Sequence, residues 1–200
     1  GHGVAGIIGL MDEIKPDSAV AIDELKAIGV EPVMLTGDSE HAGKYVADKV
    51  GITSVYGGLM PDDKAEQIKR LRTKYGYVGM VGDGINDAPA LAISSVGIAM
   101  GAAGSDAAIE SADIALMNDK LSLIPFLVRL SRATLLRIKL NTFGAIIVKI
   151  TFVTLAVCGY SNLVMAIAAD VGVTLVVIIL SLRLLKFGGP KTETVHKEQV

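Results

Sequence analysis

The chain has 200 residues, 51% of them hydrophobic, with no tryptophan and a single cysteine. A formal net charge of −2 offers no basis for nucleic-acid binding, and one cysteine excludes an internal disulfide framework. A mean hydropathy of +0.52 is high for a soluble domain, and the excess is concentrated after Leu140, so the chain reads as a two-part object.

Up to about residue 119, short β-like runs alternate with helical stretches. The runs are Val4 to Leu10, Pro32 to Leu35, Ile52 to Tyr56, Tyr77 to Val81, Val96 to Met100 and Asp113 to Met117. This alternation predicts an α/β fold with a parallel sheet. Ligands of such sheets sit outside the carboxyl ends of the strands, which directs attention to the turns that follow them. The Val33 to Leu35 run leads into Thr36-Gly37-Asp38-Ser39, a hydroxyl and an acid ahead of a helix. Pro61-Asp62-Asp63-Lys64-Ala65-Glu66 opens the next helix, with Asp63 as the expected N-cap and Glu66 closing a capping box. Lys64 then lies in the first turn, where the helix dipole disfavours a cation; its placement suggests an anionic partner, the alternative being a solvated surface lysine.

Residues 80 to 91, Met-Val-Gly-Asp-Gly-Ile-Asn-Asp-Ala-Pro-Ala-Leu, set two carboxylates at a strand-to-helix turn. Gly82 and Gly84 allow a sharp turn, and Pro89 suits the first turn of the helix that follows. Asp83 and Asp87 therefore face the crevice together. Two like charges that close need a cation or a shared proton between them, and an oxygen-rich, sulfur-free cluster suits Mg²⁺, which in turn implies phosphate. Gly-Asp-Gly and Asn-Asp are also ordinary turn chemistry. The recurrence of an acid and a hydroxyl at a second strand end favours the shared-site reading.

From Leu140 to Gly159 and from Leu163 to Leu182 the chain is almost wholly apolar, each run close to the about 20 residues that cross a bilayer. The pattern predicts a transmembrane hairpin with membrane lipid as its surroundings. Its turn, Tyr160-Ser161-Asn162, is uncharged, whereas Arg129, Arg132, Arg137 and Lys139 precede the first span and Arg183 and Lys186 follow the second. The positive-inside rule then places both ends in the cytoplasm. Lys149 and Asp170 are charges within the spans, and charges there are costly enough to be functional by default. Counted from the turn at ~1.5 Å per residue, they differ by roughly 4 to 5 Å in depth, a gap that a lysine stem bridges. A purely structural ion pair pinning the hairpin is the alternative. Cys158 reads as a packing residue, and His2, His41 and His196 have no ligand spacing.

These segments resemble the phosphorylation domain of P-type ATPases, a branch of the haloacid dehalogenase superfamily. Asp12-Glu13-Ile14-Lys15-Pro16 matches its Asp-x-x-(Lys/Arg)-Pro segment, Thr36-Gly37-Asp38 its second phosphate-site motif, Lys64 its charge-neutralising lysine, and Gly82 to Asp87 its hinge and magnesium motif. The resemblance implies a Rossmann-like haloacid dehalogenase-type sheet, incomplete here. It implies catalytic roles for Thr36, Gly37, Asp38, Lys64, Asn86 and Asp87, and cofactor roles for Asp83 and Asp87. Asp83 would ligate Mg²⁺, with ATP as phosphoryl donor. Lys149 and Asp170-Val171-Gly172 narrow the resemblance to the zinc, cadmium and lead exporters. Copper exporters carry a Tyr-Asn pair and a Met-x-x-Ser-Ser segment in these helices and the cobalt branch a His-Glu-Gly segment, none of which occurs here. In that subgroup Asp170 would ligate the transported Zn²⁺, Cd²⁺ or Pb²⁺, with Lys149 as counter-charge.

The family's nucleophile segment, Asp-Lys-Thr-Gly-Thr, is absent from these residues, as are the actuator Thr-Gly-Glu and the Cys-Pro-Cys metal motif. The expected organisation is the carboxyl-terminal part of a phosphorylation domain over 1–119, a basic connector helix over 120–139, two membrane helices over 140–186 and a disordered tail over 187–200. Its partners would be the actuator and nucleotide-binding domains and earlier transmembrane helices of a longer cell-membrane ATPase, without which this stretch should not turn over ATP. Two rivals are a soluble haloacid dehalogenase-type phosphatase and a non-catalytic membrane scaffold or regulatory fragment.

Overall fold

The computed structural model describes residues 13–82, 85–101 and 106–182. The expected strand Val4 to Leu10, the acid Asp12, the turn residues Asp83 and Gly84, the cations Arg183 and Lys186 and the tail lie outside the described residues. Two compact units divide between Ser122 and Leu123.

The first unit alternates helices and parallel strands in chain order: α1 (Ser18–Ala27), β1 (Val33–Leu35), α2 (Glu40–Val50), β2 (Ser54–Tyr56), α3 (Pro61–Tyr75), β3 (Gly79–Gly82), α4 (Ala88–Ile93), β4 (Val96–Met100), α5 (Asp106–Ser111) and β5 (Ile114–Leu116). Each described strand falls within or beside an apolar run expected from the sequence. The parallel pairing is in two ladders. β1 pairs with β2, Val33 opposite Ser54, while β3, β4 and β5 form the other, with Met80 opposite Gly97 and Ile98 opposite Ile114. Among the described residues the two ladders are joined by side chains rather than by backbone hydrogen bonds. Val33 and Leu35 of β1 pack against a cluster of Ile68, Leu71, Met80, Ala90, Leu91 and Ala99. Burial of each large apolar side chain in such a cluster contributes roughly 1.5–3 kcal/mol.

This packing aims α3. Ile68 and Leu71 are its buried residues and lie three apart, on one helix face. Lys64 is one turn before Ile68 on the same face, so the helix that buries the two apolar residues also carries the lysine to the rim of the core. The start of α3 differs from expectation. Met60 is the N-cap and Pro61 opens the helix, while Asp63, at the third helical position, accepts a hydrogen bond from the Met60 N–H at 3.1 Å. A proline cannot donate and its fixed φ suits the first helical residue, so Pro61 starts the helix two residues before Asp63. Glu66 lies instead beside Arg70 and Lys69 on the exposed face.

The loop leaving β5 is fastened to the segment that opens the unit. Lys15 pairs with Asp119, and the Ser122 N–H donates to Asp17 Oδ2 at 3.2 Å.

The second unit is a pair of helices, α6 (Leu123–Val157) and α7 (Leu163–Leu182). Both are long and apolar enough to cross a membrane. The basic connector and the first apolar run, expected as separate pieces, form one continuous helix of 35 residues, ~52 Å at ~1.5 Å per residue. No proline or glycine pair interrupts Arg129 to Val157, so nothing in the sequence stops the helix at the change from charged to apolar. The turn is closed by Asn162, whose side-chain oxygen accepts from the Met165 N–H at 2.9 Å at the start of α7. Unlike the first unit, this one turns its large residues outward: Phe143, Ile147, Val153 and Ile179 are all exposed.

Candidate functional site

The turn after β1 is built around a hydroxyl. Thr36 Oγ1 accepts from the Asp38 N–H at 3.1 Å and lies 3.3 Å from Asp38 Oδ2, which folds the chain tightly about Gly37. Backbone bonds fix this turn to the segment after β2: the Leu59 N–H donates to Thr36 O at 3.1 Å, and the Gly58 N–H donates to Asp38 O. Met60, the cap of α3, follows directly. The hydroxyl turn and the beginning of the lysine-bearing helix are thus tied through their main chains.

α2 closes on the same turn because it carries a glycine in its interior. A Cβ at Gly43 would stand 2.8 Å from the Thr36 methyl and 3.2 Å from Val55 Cγ1. Glycine weakens a helix interior, so its presence here reflects the close approach.

The second element is a charged pair. Lys64 Nζ lies 2.8 Å from Asp87 Oδ1, with only 15% and 13% of the two side chains exposed. Asp87 closes a single 3-10 turn, Ile85–Asp87, and stands at the N-cap position of α4, which has Pro89 in its first turn. Partial burial makes each charge depend on the other, because an unpaired ion out of water costs several kcal/mol by order of magnitude. Strand β3 makes room for the carboxylate. A Cβ on Gly82 would stand 2.7 Å from both Cβ and Oδ2 of Asp87. Any side chain at position 82 would therefore displace the acid. Asn86, one residue before it, is exposed at the mouth of the turn.

Lys64 and Asp87 are therefore brought together, and Thr36, Gly37 and Asp38 form one turn linked to α3. Asp83 lies outside the described residues. Sequence reasoning treated Gly82 as a turn former and overlooked Gly43; the visible signal for Gly43 was a glycine inside an otherwise helical stretch.

Magnesium is tested against these donors by the cradle at Gly82. It holds an oxygen-only carboxylate at the strand end, with Lys64 engaging Oδ1 while Oδ2 faces the glycine. Mg²⁺ takes one or two carboxylates and completes its shell with water and phosphate oxygen, so this hard, sulfur-free setting fits it. Among the described residues no group of three histidine, cysteine or acidic side chains gathers.

In the second unit, Lys149 Nζ lies 3.1 Å from Asp170 Oδ1. The pair borders a groove of ≈ 340 Å³ between α6 and α7, flanked by Asn141, Thr142, Ile146 and Thr174. The lysine and the aspartate bridge the two helices and are 63% and 55% exposed. Cys158 is free and exposed.

The family profile of haloacid dehalogenase-like hydrolases matches residues 3–94, a stretch that contains the Thr36 turn and the Lys64–Asp87 pair. The whole chain narrows this further. It is 47% identical to a cadmium-transporting ATPase of Staphylococcus aureus over 92% of its own length and 25% of that protein. It is 41% identical to a cadmium, zinc and cobalt-transporting ATPase of Bacillus subtilis over 91% of the chain and 26% of the relative. It also superposes on the crystal structure of a zinc-transporting PIB-type ATPase with a TM-score of 0.82 and 40% identity, covering 87% of the chain and 28% of that structure. The chain is similar to these heavy-metal-transporting ATPases over most of its own length and spans about a quarter of the length of these relatives.

Proposed function

We propose that this chain serves as the phosphate-handling core and the final membrane hairpin of a longer ATP-driven exporter of Zn²⁺, Cd²⁺ or Pb²⁺ that works through an aspartyl-phosphate intermediate. The observation that carries the reading is the Lys64–Asp87 pair, which joins two motifs 23 residues apart at one strand end. Thr36, with the N–H groups of its turn, offers hydrogen bonds to phosphoryl oxygens. Gly37 lets the turn fold without a side chain at the phosphate, and Asp38 holds the Thr36 hydroxyl. Lys64 neutralises the phosphoryl charge as it develops, an electrostatic contribution that acts most strongly out of bulk water. Asp87, held by Lys64, and Asn86 orient the groups at the mouth of the turn. Mg²⁺ held by Asp83 and Asp87 would supply charge neutralisation to the transferring group. ATP would be the donor and an aspartate elsewhere in the longer protein the acceptor.

In the same reading residues 1–119 form the phosphorylation part, 120–139 the connector and 140–186 the two spans. The hairpin lies in the cell membrane with both ends cytoplasmic, and the actuator and nucleotide-binding domains belong to the rest of the protein. Asp170 ligates the transported ion, and Lys149 replaces that ion as counter-charge when the site is empty. A mid-membrane carboxylate needs a cation in either state, and the two alternate in that role. An oxygen ligand alongside thiolates outside this chain favours Zn²⁺ or Cd²⁺ over Cu⁺.

The test is phosphoenzyme formation from labelled ATP in the complete ATPase. Asp83→Asn is expected to abolish Mg²⁺-dependent labelling, and labelling at the unsubstituted level would refute the assigned role.

A further inference from the structure

Threonines in the hairpin do little to hold its two helices together. Thr134, Thr151, Thr154 and Thr174 each donate to the carbonyl four residues back in their own helix, at 2.8 to 2.9 Å. Lipid is as apolar as the aliphatic residues and gives no hydrophobic drive between helices, so their register rests on van der Waals packing and on specific polar contacts. Arg137 Nη1 donates to Leu180 O at 3.1 Å, Asn141 Nδ2 lies 3.2 Å from Ser181 Oγ, and Lys149 reaches Asp170.

Arg137 and Asn141 are one turn apart on α6 and so share a face. Their partners are adjacent residues in the last turn of α7, where carbonyls lose their intrahelical donors and a cation is favoured by the helix dipole. Taken together the two contacts stand ~15 Å from Lys149 along α6 and ~16 Å from Asp170 along α7, at ~1.5 Å per residue. The clamp and the ion pair thus belong to one antiparallel register. A slip of one turn would move Asp170 by ~5.4 Å relative to Lys149 and break the clamp at the same time.

We propose that Arg137 and Asn141 are positioning residues: they fix the register of α6 and α7, and through it the reach between Lys149 and the ion-binding Asp170. This rests on the reading of Asp170 as an ion ligand. Arg137 is then more than a topology signal. Its guanidinium caps the end of α7, and Asn141 adds a contact that tolerates no one-turn displacement.

The test uses disulfide formation in native membranes containing the complete ATPase with Cys158→Ser. One variant carries Ile146→Cys with Val173→Cys, a registered pair; the other carries Ile146→Cys with Val177→Cys, offset by a turn. All three positions border the same groove. The registered pair should cross-link faster, and Arg137→Ala with Asn141→Ala should reduce that preference roughly three- to tenfold, as expected for losing two interhelical contacts. Asn141→Ala alone, which leaves the flanking charge in place, should give a smaller loss in the same direction. The zinc concentration for half-maximal ATPase stimulation should rise with the loss of register while kcat changes little. An unchanged cross-linking preference would overturn the clamp, and a changed preference with unchanged zinc dependence would overturn its link to the ion site. If Asp170→Ala keeps full zinc stimulation, the ion-site reading fails instead, and cross-linking still reports on the clamp.

Discussion

Two lysine–aspartate pairs of nearly equal length sit in opposite kinds of surroundings. Lys64 and Asp87 are 2.8 Å apart and largely covered, in a niche made by a buried helix face, a strand end and a missing Cβ at Gly82. Lys149 and Asp170 are 3.1 Å apart on two apolar helices, exposed on the hairpin surface. The first pair is positioned locally, by turns and close packing. The second is positioned by helix register, set several turns away. A substitution beside the first pair should therefore act by displacement, and one in the hairpin by slippage.

The strongest way to break the contrast is to remove the covered cation. In the complete ATPase, Lys64→Ala should slow phosphoenzyme formation by about 10²- to 10³-fold, the usual scale for losing a group aimed at developing charge. Single-turnover labelling measures it, and a drop below tenfold would place Lys64 outside the phosphate site. Next comes the cradle. Gly82→Ala adds no charge and removes none, yet its methyl would overlap Asp87. It should cost roughly 10- to 100-fold in the same assay, the range expected from a misplacement of about 1 Å. A variant with full activity would show that the carboxylate has room to move.

The hairpin side is sharpened by accessibility. A cysteine probe at Ser161 should react with an impermeant reagent from outside, and one at Lys191 only after permeabilisation. The reverse pattern would invert the orientation expected from flanking charge. The smallest effect is expected at Gly43→Ala. Alanine is better than glycine in a helix by about 0.8–1 kcal/mol, whereas crowding against Thr36 costs about 1–3 kcal/mol, so a small net loss should appear in thermal unfolding. A gain would mean that Thr36 yields freely.

The sequence showed strands more readily than joints. β4 was legible to the residue, because Val96 to Met100 is a short apolar run between turn residues, and α7 was legible from its almost wholly apolar composition. The start of α3 was missed because Asp63 resembles an N-cap, and only the weight given to Pro61 decides between the two. The continuity of α6 was missed because composition changes at Leu140 while helix-forming tendency does not. Lys64 and Asp87 could be matched by motif. Their niche could not, since the closeness of Gly82 to Asp87 depends on how tightly a 3-10 turn folds back on β3. The split between the β1–β2 and β3–β4–β5 ladders had no counterpart in the apolar pattern either, because strand adjacency is a tertiary property.

The central claim is that one chain couples a phosphate site to an ion site at Asp170. It is tested most directly by zinc-stimulated ATP hydrolysis and metal stoichiometry in the purified complete ATPase, comparing Asp170→Ala with the unsubstituted protein. The account predicts that Asp170→Ala loses zinc stimulation and bound zinc together, while phosphoenzyme formation from inorganic phosphate, which does not call on Asp170, persists. Zinc stimulation and stoichiometry equal to those of the unsubstituted protein would contradict it.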